Sequence, residues 1–169
     1  NTCTAKAYRG NFFRLFSSMA LRDDLFSGES YYIVEIRSLK RILDATEDEP
    51  KVFCVIDEVL RGTNTIERIA ASSEVLSLLS GKGCLCMAAT HDLELVQLLD
   101  GIYTPWHFQE NITDAGISFD YILYPGPTNT RNAIKLLALM GYEPTMVHRA
   151  EEKAKTFIKT GLWKTSQQN

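Results

Sequence analysis

The sequence predicts an α/β fold, a mostly parallel sheet flanked by helices, followed by a β-hairpin and a C-terminal helical pair. Three observations predict it. Two short unbroken apolar runs, Val52 to Ile56 and Cys84 to Ala89, are each followed by a helical pattern, which is the alternation of a parallel sheet. The stretch from Trp106 to Leu123 alternates with period two on either side of Thr113 to Gly116. The chain then closes on two apolar helical patterns, split by Gly141 and Pro144.

In order, Phe12 to Phe16 is an aromatic strand candidate, and Ser17 to Ser30 a polar loop with an apolar centre. Ile33, Ile36, Leu39 and Leu43 recur at three and four and predict a helix from about Ser30 to Ala45, capped by Ser27 or Ser30. Glu47 to Pro50 is a turn. Val52 to Ile56 reads as a strand buried on both faces and ends in Asp57-Glu58. Arg61 to Thr65 is a polar loop carrying Gly62. A helix from about Ile66 to Leu79 rests on Ile69, Val75, Leu76 and Leu79, and Ser80 to Gly83 breaks it. Cys84 to Ala89 is a second buried strand, running into Thr90-His91-Asp92 and a helix from about Leu93 to Leu99. In the hairpin, Phe119, Tyr121 and Leu123 share one face. Asn132 to Met140 is a core helix, and the last helix places Val147, Ala150, Ala154, Phe157 and Ile158 on one face. Residues 1–128 group as the sheet core and 129–169 as a helical segment of the same domain.

With 169 residues the chain has room for one domain with a real core. A formal net charge of −3 is no basic nucleic-acid footprint, so this part is not expected to be a DNA-contacting surface. Cys3, Cys54, Cys84 and Cys86 lack metal-ligand spacing. Cys54, Cys84 and Cys86 lie in apolar runs and read as buried free thiols in strands, which fits a reducing, cytoplasmic setting. No apolar run approaches the ~20 residues of a membrane span, so no membrane contact is expected from this segment. The chain begins with Asn rather than Met, and is expected to be an excised piece of something longer.

The chemistry concentrates between Lys51 and Thr65. Carboxylates at the carboxyl end of a parallel strand stand at the rim where open α/β sheets bind ligands. An apolar run ending in D-E is the Walker B pattern of P-loop ATPases, in which the Asp helps hold Mg²⁺ and the Glu polarises a water. On those residues alone a plain acidic strand end explains the pair equally well. The loop Ser27-Gly28-Glu29-Ser30 could offer backbone N–H groups to an anion, or simply cap its helix.

Three spaced features together decide more. D-D-L-F-S-G-E-S with V-E-I after it (the match falling at Asp23 to Glu35), D-E-V-L-R-G-T-N-T (Asp57 to Thr65) and A-T-H-D-L-E-L (Ala89 to Leu95) resemble the signature, the Walker B with D-loop, and the switch of the MutS family, mismatch-repair ATPases of the ABC superclass. The closing helices resemble that family's C-terminal dimerisation segment. The likeness runs from about Phe12 to Phe157. There are departures. No G-x-x-x-x-G-K-[ST] occurs in the chain, Leu60 stands where the family usually has Gly, and Glu67-Arg68-Ile69 replaces its Asp-Gly-Leu. The likeness is therefore to a divergent MutS-like branch, with the P-loop expected upstream.

The resemblance implies an ABC-type P-loop NTPase fold, ATP and Mg²⁺ as cofactors, a homodimer formed through signature and D-loop surfaces, and DNA contact through other domains. It implies that Asp57 holds Mg²⁺, Glu58 orients the attacking water and His91 faces the γ-phosphate, although a capping or core His remains the other reading of His91. Ser27, Gly28 and Ser30 would face the nucleotide of a partner subunit. Thr63 and Asn64, in the loop from Arg61 to Thr65, would lie at the nucleotide and the dimer interface, or form a plain Gly turn. Counting back from Pro125-Gly126 puts Tyr121 where the family lays a ring against the adenine; a core Tyr is the alternative. Two functions follow: a dimeric ATPase domain of a DNA-repair or DNA-structure-sensing protein, or a dimerisation module of the same fold without a P-loop. An SMC-type ABC head is disfavoured by the R-G-T-x-T loop.

Overall fold

The computed structural model describes residues 5–19, 30–49, 51–113, 116–128 and 132–163. Contacts group the chain into two units, Asn1–Thr104 and Pro105–Asn169.

The first unit is built on a parallel sheet of β1 (Arg14–Ser18), β2 (Val52–Asp57) and β3 (Leu85–Ala89), in that spatial order. Helix α1 (Tyr31–Ala45) links β1 to β2, α2 (Thr65–Gly81) links β2 to β3, and the short α3 (Leu93–Leu98) follows β3. The expected alternation of strand and helix is present, and the sheet is parallel. Register aligns Phe16 with Cys54, Cys54 with Cys86, and Asp57 with Ala89. Strands β2 and β3 therefore end level, and the residues after them leave from one rim.

Strand β1 begins two residues later than the aromatic run suggests, at Arg14 rather than Phe12. Arg14 is anchored: its amide donates to Lys51 O (3.0 Å) and its guanidinium bonds the carbonyls of Ala45, the last residue of α1, and Asp48 beyond it. Phe12 stays exposed.

The core is one cluster. Val52, Cys54 and Ile56 on one face of β2 meet Leu39 and Ile42 of α1 or Leu76 and Leu79 of α2, together with Val59, Leu60, Leu95 and Leu99. A fully buried Leu or Ile of this kind contributes about 1.5–3 kcal/mol relative to exposure. Two expectations are corrected. The other face of β2, Phe53, Val55 and Asp57, is only half-buried, and β3 is not a buried strand: Leu85 and Met87 are exposed by 50% and 59%. The reason is position in the sheet, since β2 is central and β3 lies at the edge.

Helix α1 starts one residue after its expected cap, but it turns a different face inward. Glu35, Ser38, Leu39 and Ile42 are buried, whereas Ile33 and Ile36 are more than a third exposed. In α2 the buried stripe is Ser72, Leu76 and Leu79, with Ile69 and Val75 half-buried.

The second unit holds the hairpin and the helical pair. Its paired segments are β4 (Trp106–His107), β5 (Glu110–Thr113), β6 (Gly116–Phe119) and β7 (Tyr124–Pro125). Strand β5 pairs antiparallel with β6, and β4 with β7, so the expected hairpin exists but is interrupted. Two residues, Phe108 and Gln109, lie between the paired segments on one side and four, Asp120 to Leu123, on the other. The excess is taken up in an Asx-type turn, where Asp120 Oδ1 accepts the Ile122 amide (2.9 Å) and Tyr121 has φ 56°. Phe119, Tyr121 and Leu123 are thus not three steps of one strand face, which corrects that reading. Helices α4 (Ala133–Leu139) and α5 (Pro144–Thr160) pack on each other across Gly141, whose φ of 81° closes α4. Ile158 is 61% exposed rather than on the packed face, while Phe157 stacks on Trp163 with centroids 4.2 Å apart.

Candidate functional site

Asp57 is the last residue of the central strand, and the chain turns sharply directly after it. Glu58 has φ 60° and Leu60 φ 58°, both left-handed and both without a glycine's freedom. Each such residue costs on the order of 1–3 kcal/mol and persists only where its surroundings over-determine it. Here they do. The Glu58 amide extends the ladder to Ala89 O (3.0 Å), Ser72 Oγ of α2 donates to Val59 O (3.2 Å), and the Leu60 amide donates to Glu35 Oε1 of α1 (2.6 Å). Val59 and Leu60 are themselves buried in the core.

Glu35 is 2% exposed, and its Oε2 has no hydrogen-bond partner among the described residues. Burial raises its pKa above the ordinary value; the Leu60, Arg61 and Gly62 amides and the Arg61 guanidinium pull it down without cancelling that rise. The first turn of α1 also fits closely against the loop: a Cβ on Gly62 would stand 2.6 Å from Tyr32 Cβ, so this position needs glycine for close approach. Arg61 lies over the Tyr31 ring at 5.9 Å.

The loop then enters α2 through a cap. Asn64 Oδ1 accepts the Glu67 amide (3.0 Å), and Thr63 Oγ1 donates to Glu67 Oε2 (3.1 Å). At the neighbouring strand end, His91 places Nε2 3.6 Å from Glu58 Oε1; the imidazole is 95% exposed and the Glu58 side chain 18%. That separation is longer than a direct hydrogen bond. Asp92 beside it is held by Arg68 of α2 through two bonds, Nε to Oδ2 at 2.9 Å and Nη2 to Oδ1 at 2.7 Å.

The structure brings Asp57, Glu58 and His91 to one rim of the sheet. Ser30 is the N-cap of α1, its hydroxyl 3.4 Å from the Ile33 amide. Thr63 and Asn64 cap α2. Ser27 and Gly28 lie outside the described residues. Tyr121 belongs to the second unit, is 83% exposed, and has its ring 6.2 Å from that of Phe119. Sequence reasoning assigned no role to Glu35, Arg68 or Asp92. A signal for Glu35 existed, because Glu35, Leu39 and Ile42 share a helical stripe. Arg68 had none beyond replacing a residue the family usually keeps small. Among the described residues, no group of three or more His, Cys, Asp or Glu side chains is arranged to hold a metal ion.

Comparison with known proteins agrees with these motifs. The family model described as MutS domain V matches residues 3–158. A DNA mismatch repair protein MutS 2 of Haloarcula marismortui is 29% identical over 142 residues, covering 82% of this chain and 15% of its own length. A DNA mismatch repair protein MutS of Natronomonas pharaonis is 31% identical over 144 residues, covering 83% of this chain and 17% of its own. One from Orientia tsutsugamushi strain Ikeda is 32% identical over 142 residues, covering 82% and 16%. The chain thus spans only 15–17% of the length of these relatives. The match over residues 3–158, with the D-E, R-G-T-N-T and T-H motifs falling on one rim and its bordering loop, shows that the chain belongs to the MutS domain V family.

Proposed function

We propose that this chain is the ATP-binding and ATP-hydrolysing portion of a MutS-like protein of DNA mismatch repair or DNA-structure sensing, built on an ABC-type P-loop NTPase fold and acting in the cytoplasm as a dimer with composite nucleotide sites. One observation carries the reading: Asp57 ends the central strand with Glu58 directly after it, and His91, two residues beyond the next strand, approaches Glu58 Oε1 to 3.6 Å. Two carboxylates at the carboxyl rim, one of them approached by an imidazole, are groups that phosphoryl transfer to water uses, since that chemistry is mostly positioning and electrostatics.

Mg²⁺ fits the donor set. It is commonly held by one or two carboxylates together with substrate phosphates, so Asp57 suffices as the protein's ligand without a dedicated cage. When bound, it would supply charge neutralisation on the phosphate oxygens. Glu58 accepts a proton from, and orients, the attacking water; its left-handed backbone fixes the carboxylate's direction. His91 donates from its ring towards the terminal phosphate. Ser27, Gly28 and Ser30 face the nucleotide of the opposite subunit, and the loop carrying Thr63 and Asn64 lies between the two sites. DNA contact falls to other domains of the parent protein. With no G-x-x-x-x-G-K-[ST] in these 169 residues, the chain by itself lacks the phosphate nest and is inactive for hydrolysis.

The test is Glu58→Gln in the full-length parent protein. Turnover should fall by about a hundredfold or more, as for removal of a positioned general base, with ATP affinity within a few-fold of wild type. Near-normal phosphate release removes Glu58 from the mechanism, whereas a wild-type parent that neither binds ATP nor releases phosphate favours the alternative, a dimerisation module of this fold.

A further inference from the structure

We propose that Arg68 and Asp92 form a positioning clamp that ties the His91 loop to helix α2, and through α2 to the Arg61–Thr65 loop, so that His91 is held against Glu58. This rests on the reading of Glu58 and His91 as nucleotide-facing groups, and it adds two residues that the motifs leave without a role.

The first observation is the geometry. The guanidinium meets both carboxylate oxygens, at 2.9 and 2.7 Å, and the Arg68 and Asp92 side chains are only 22% and 14% exposed. A two-pronged, shielded pair of this kind is more specific and less screened than a surface ion pair. The second observation is what Asp92 forgoes. It occupies the N-cap position of α3, where an Asp side chain normally accepts a helix amide, and it makes no such bond. Its carboxylate is turned to α2 instead. Its own amide donates back to Thr90 Oγ1 (3.0 Å), so both neighbours of His91 are fixed while the imidazole itself stands 95% exposed.

The third observation is the position of Arg68. It lies one residue after Glu67, the residue that both Thr63 and Asn64 bond at the start of α2. Its amide donates to Asn64 O (2.9 Å). A displacement of the Arg61–Thr65 loop therefore moves the guanidinium, and the guanidinium moves Asp92 and its neighbour His91. Asp92 holds Arg68 firmly protonated, with Glu58 and Glu94 adding to the same field, so the cation also lies within electrostatic reach of the acid that His91 approaches. Glycine, usual at this position in the family pattern, would keep the backbone bond to Asn64 and lose both bonds to Asp92.

The experiment uses the full-length protein with ATP and Mg²⁺. Arg68→Gln and Asp92→Asn should each lower kcat about tenfold while KM stays within about twofold, and the double variant should fall no further than the worse single, because the two act as one unit. Multiplying losses, an unchanged kcat, or a parallel loss of thermal stability overturns the clamp. Glu58→Gln measured alongside keeps the two readings apart: if it retains turnover, the catalytic reading of the rim fails, and the clamp is then decided by amide exchange alone. A clamp requires the Thr90 to Leu93 amides to exchange about tenfold faster or more in Arg68→Gln with β2 unchanged. Unaltered exchange there refutes it.

Discussion

At residue scale, Leu60 shows two requirements meeting at one position. Its backbone lies at φ 58°, where a residue with a Cβ is disfavoured, yet its side chain is 4% exposed in the core. The strain explains why the family pattern has Gly here, and the burial explains what Leu gains. The two terms separate by substitution. Both Leu60→Ala and Leu60→Gly should lose about 2–5 kcal/mol of unfolding free energy through the cavity. At an ordinary strand or helix position Gly is the worse of the two by roughly 0.5–1 kcal/mol. Here the order should reverse, with Gly the more stable by about 1 kcal/mol, because only Ala keeps the left-handed penalty. Denaturant unfolding of both variants decides it, and an Ala variant more stable than Gly would show that position 60 carries no such strain. This tension was invisible in the sequence. The D-E pair, the Ser30 cap and the Gly-bearing loop were legible because each follows from local residue chemistry. A positive φ at Glu58 and Leu60 is imposed by what lies above and below the turn, and no local pattern announces it.

At the scale of the element, α1 is the instructive case. Its span was legible to within a residue from capping and periodicity, but its buried face was not. The apolar stripe Ile33, Ile36, Leu39 and Leu43 competes with Glu35, Ser38, Leu39 and Ile42, and the second wins because Glu35 takes the Leu60 amide. The bond has a pH signature. Burial raises the Glu35 pKa above the model-peptide value of 4.5, so the folded state holds the proton more tightly than the unfolded chain. Stability from this group is complete below 4.5 and is lost as pH rises through the raised folded value. Glu35→Gln keeps an acceptor for Leu60 and removes the titration. Its unfolding free energy should therefore be flatter than that of wild type above pH 4.5, and equal or greater near neutrality. Parallel pH profiles of wild type and variant would mean that Glu35 titrates alike folded and unfolded. Among the other elements, β3 and the hairpin were identified in type but misjudged in context. Nothing in C-L-C-M-A-A says that it forms an edge, and nothing in F-D-Y-I-L-Y says that an Asx turn diverts the strand at Asp120.

At the scale of the whole molecule, the alternation of strand and helix through Leu98 was readable because period and punctuation are local properties, whereas the contact boundary at Thr104–Pro105 was not. It places the hairpin with the helical pair, a grouping set by long-range packing. The same limit applies to assembly, since a single sequence cannot say which residues complete a site in another subunit. The proposed composite site makes that question experimental. Ser27, outside the described residues, serves the opposite subunit's nucleotide in this scheme, while Glu58 serves its own. In the full-length protein, Ser27→Arg should block closure of both sites of its homodimer, and Glu58→Gln should block chemistry at both of its own. Neither homodimer turns over. In a mixed dimer with two-fold symmetry, one site combines the intact Glu58 of the first subunit with the intact Ser27 of the second, and the other site carries both defects. An equimolar, fully exchanged mixture is half mixed dimers with one working site each, so activity should recover to about a quarter of wild type if the sites are independent. Phosphate release is the readout, with subunit exchange verified by native mass spectrometry. Activity that stays at the homodimer level while mixed dimers are present would mean that Ser27 and Glu58 act within the same subunit, and that the nucleotide site is not shared.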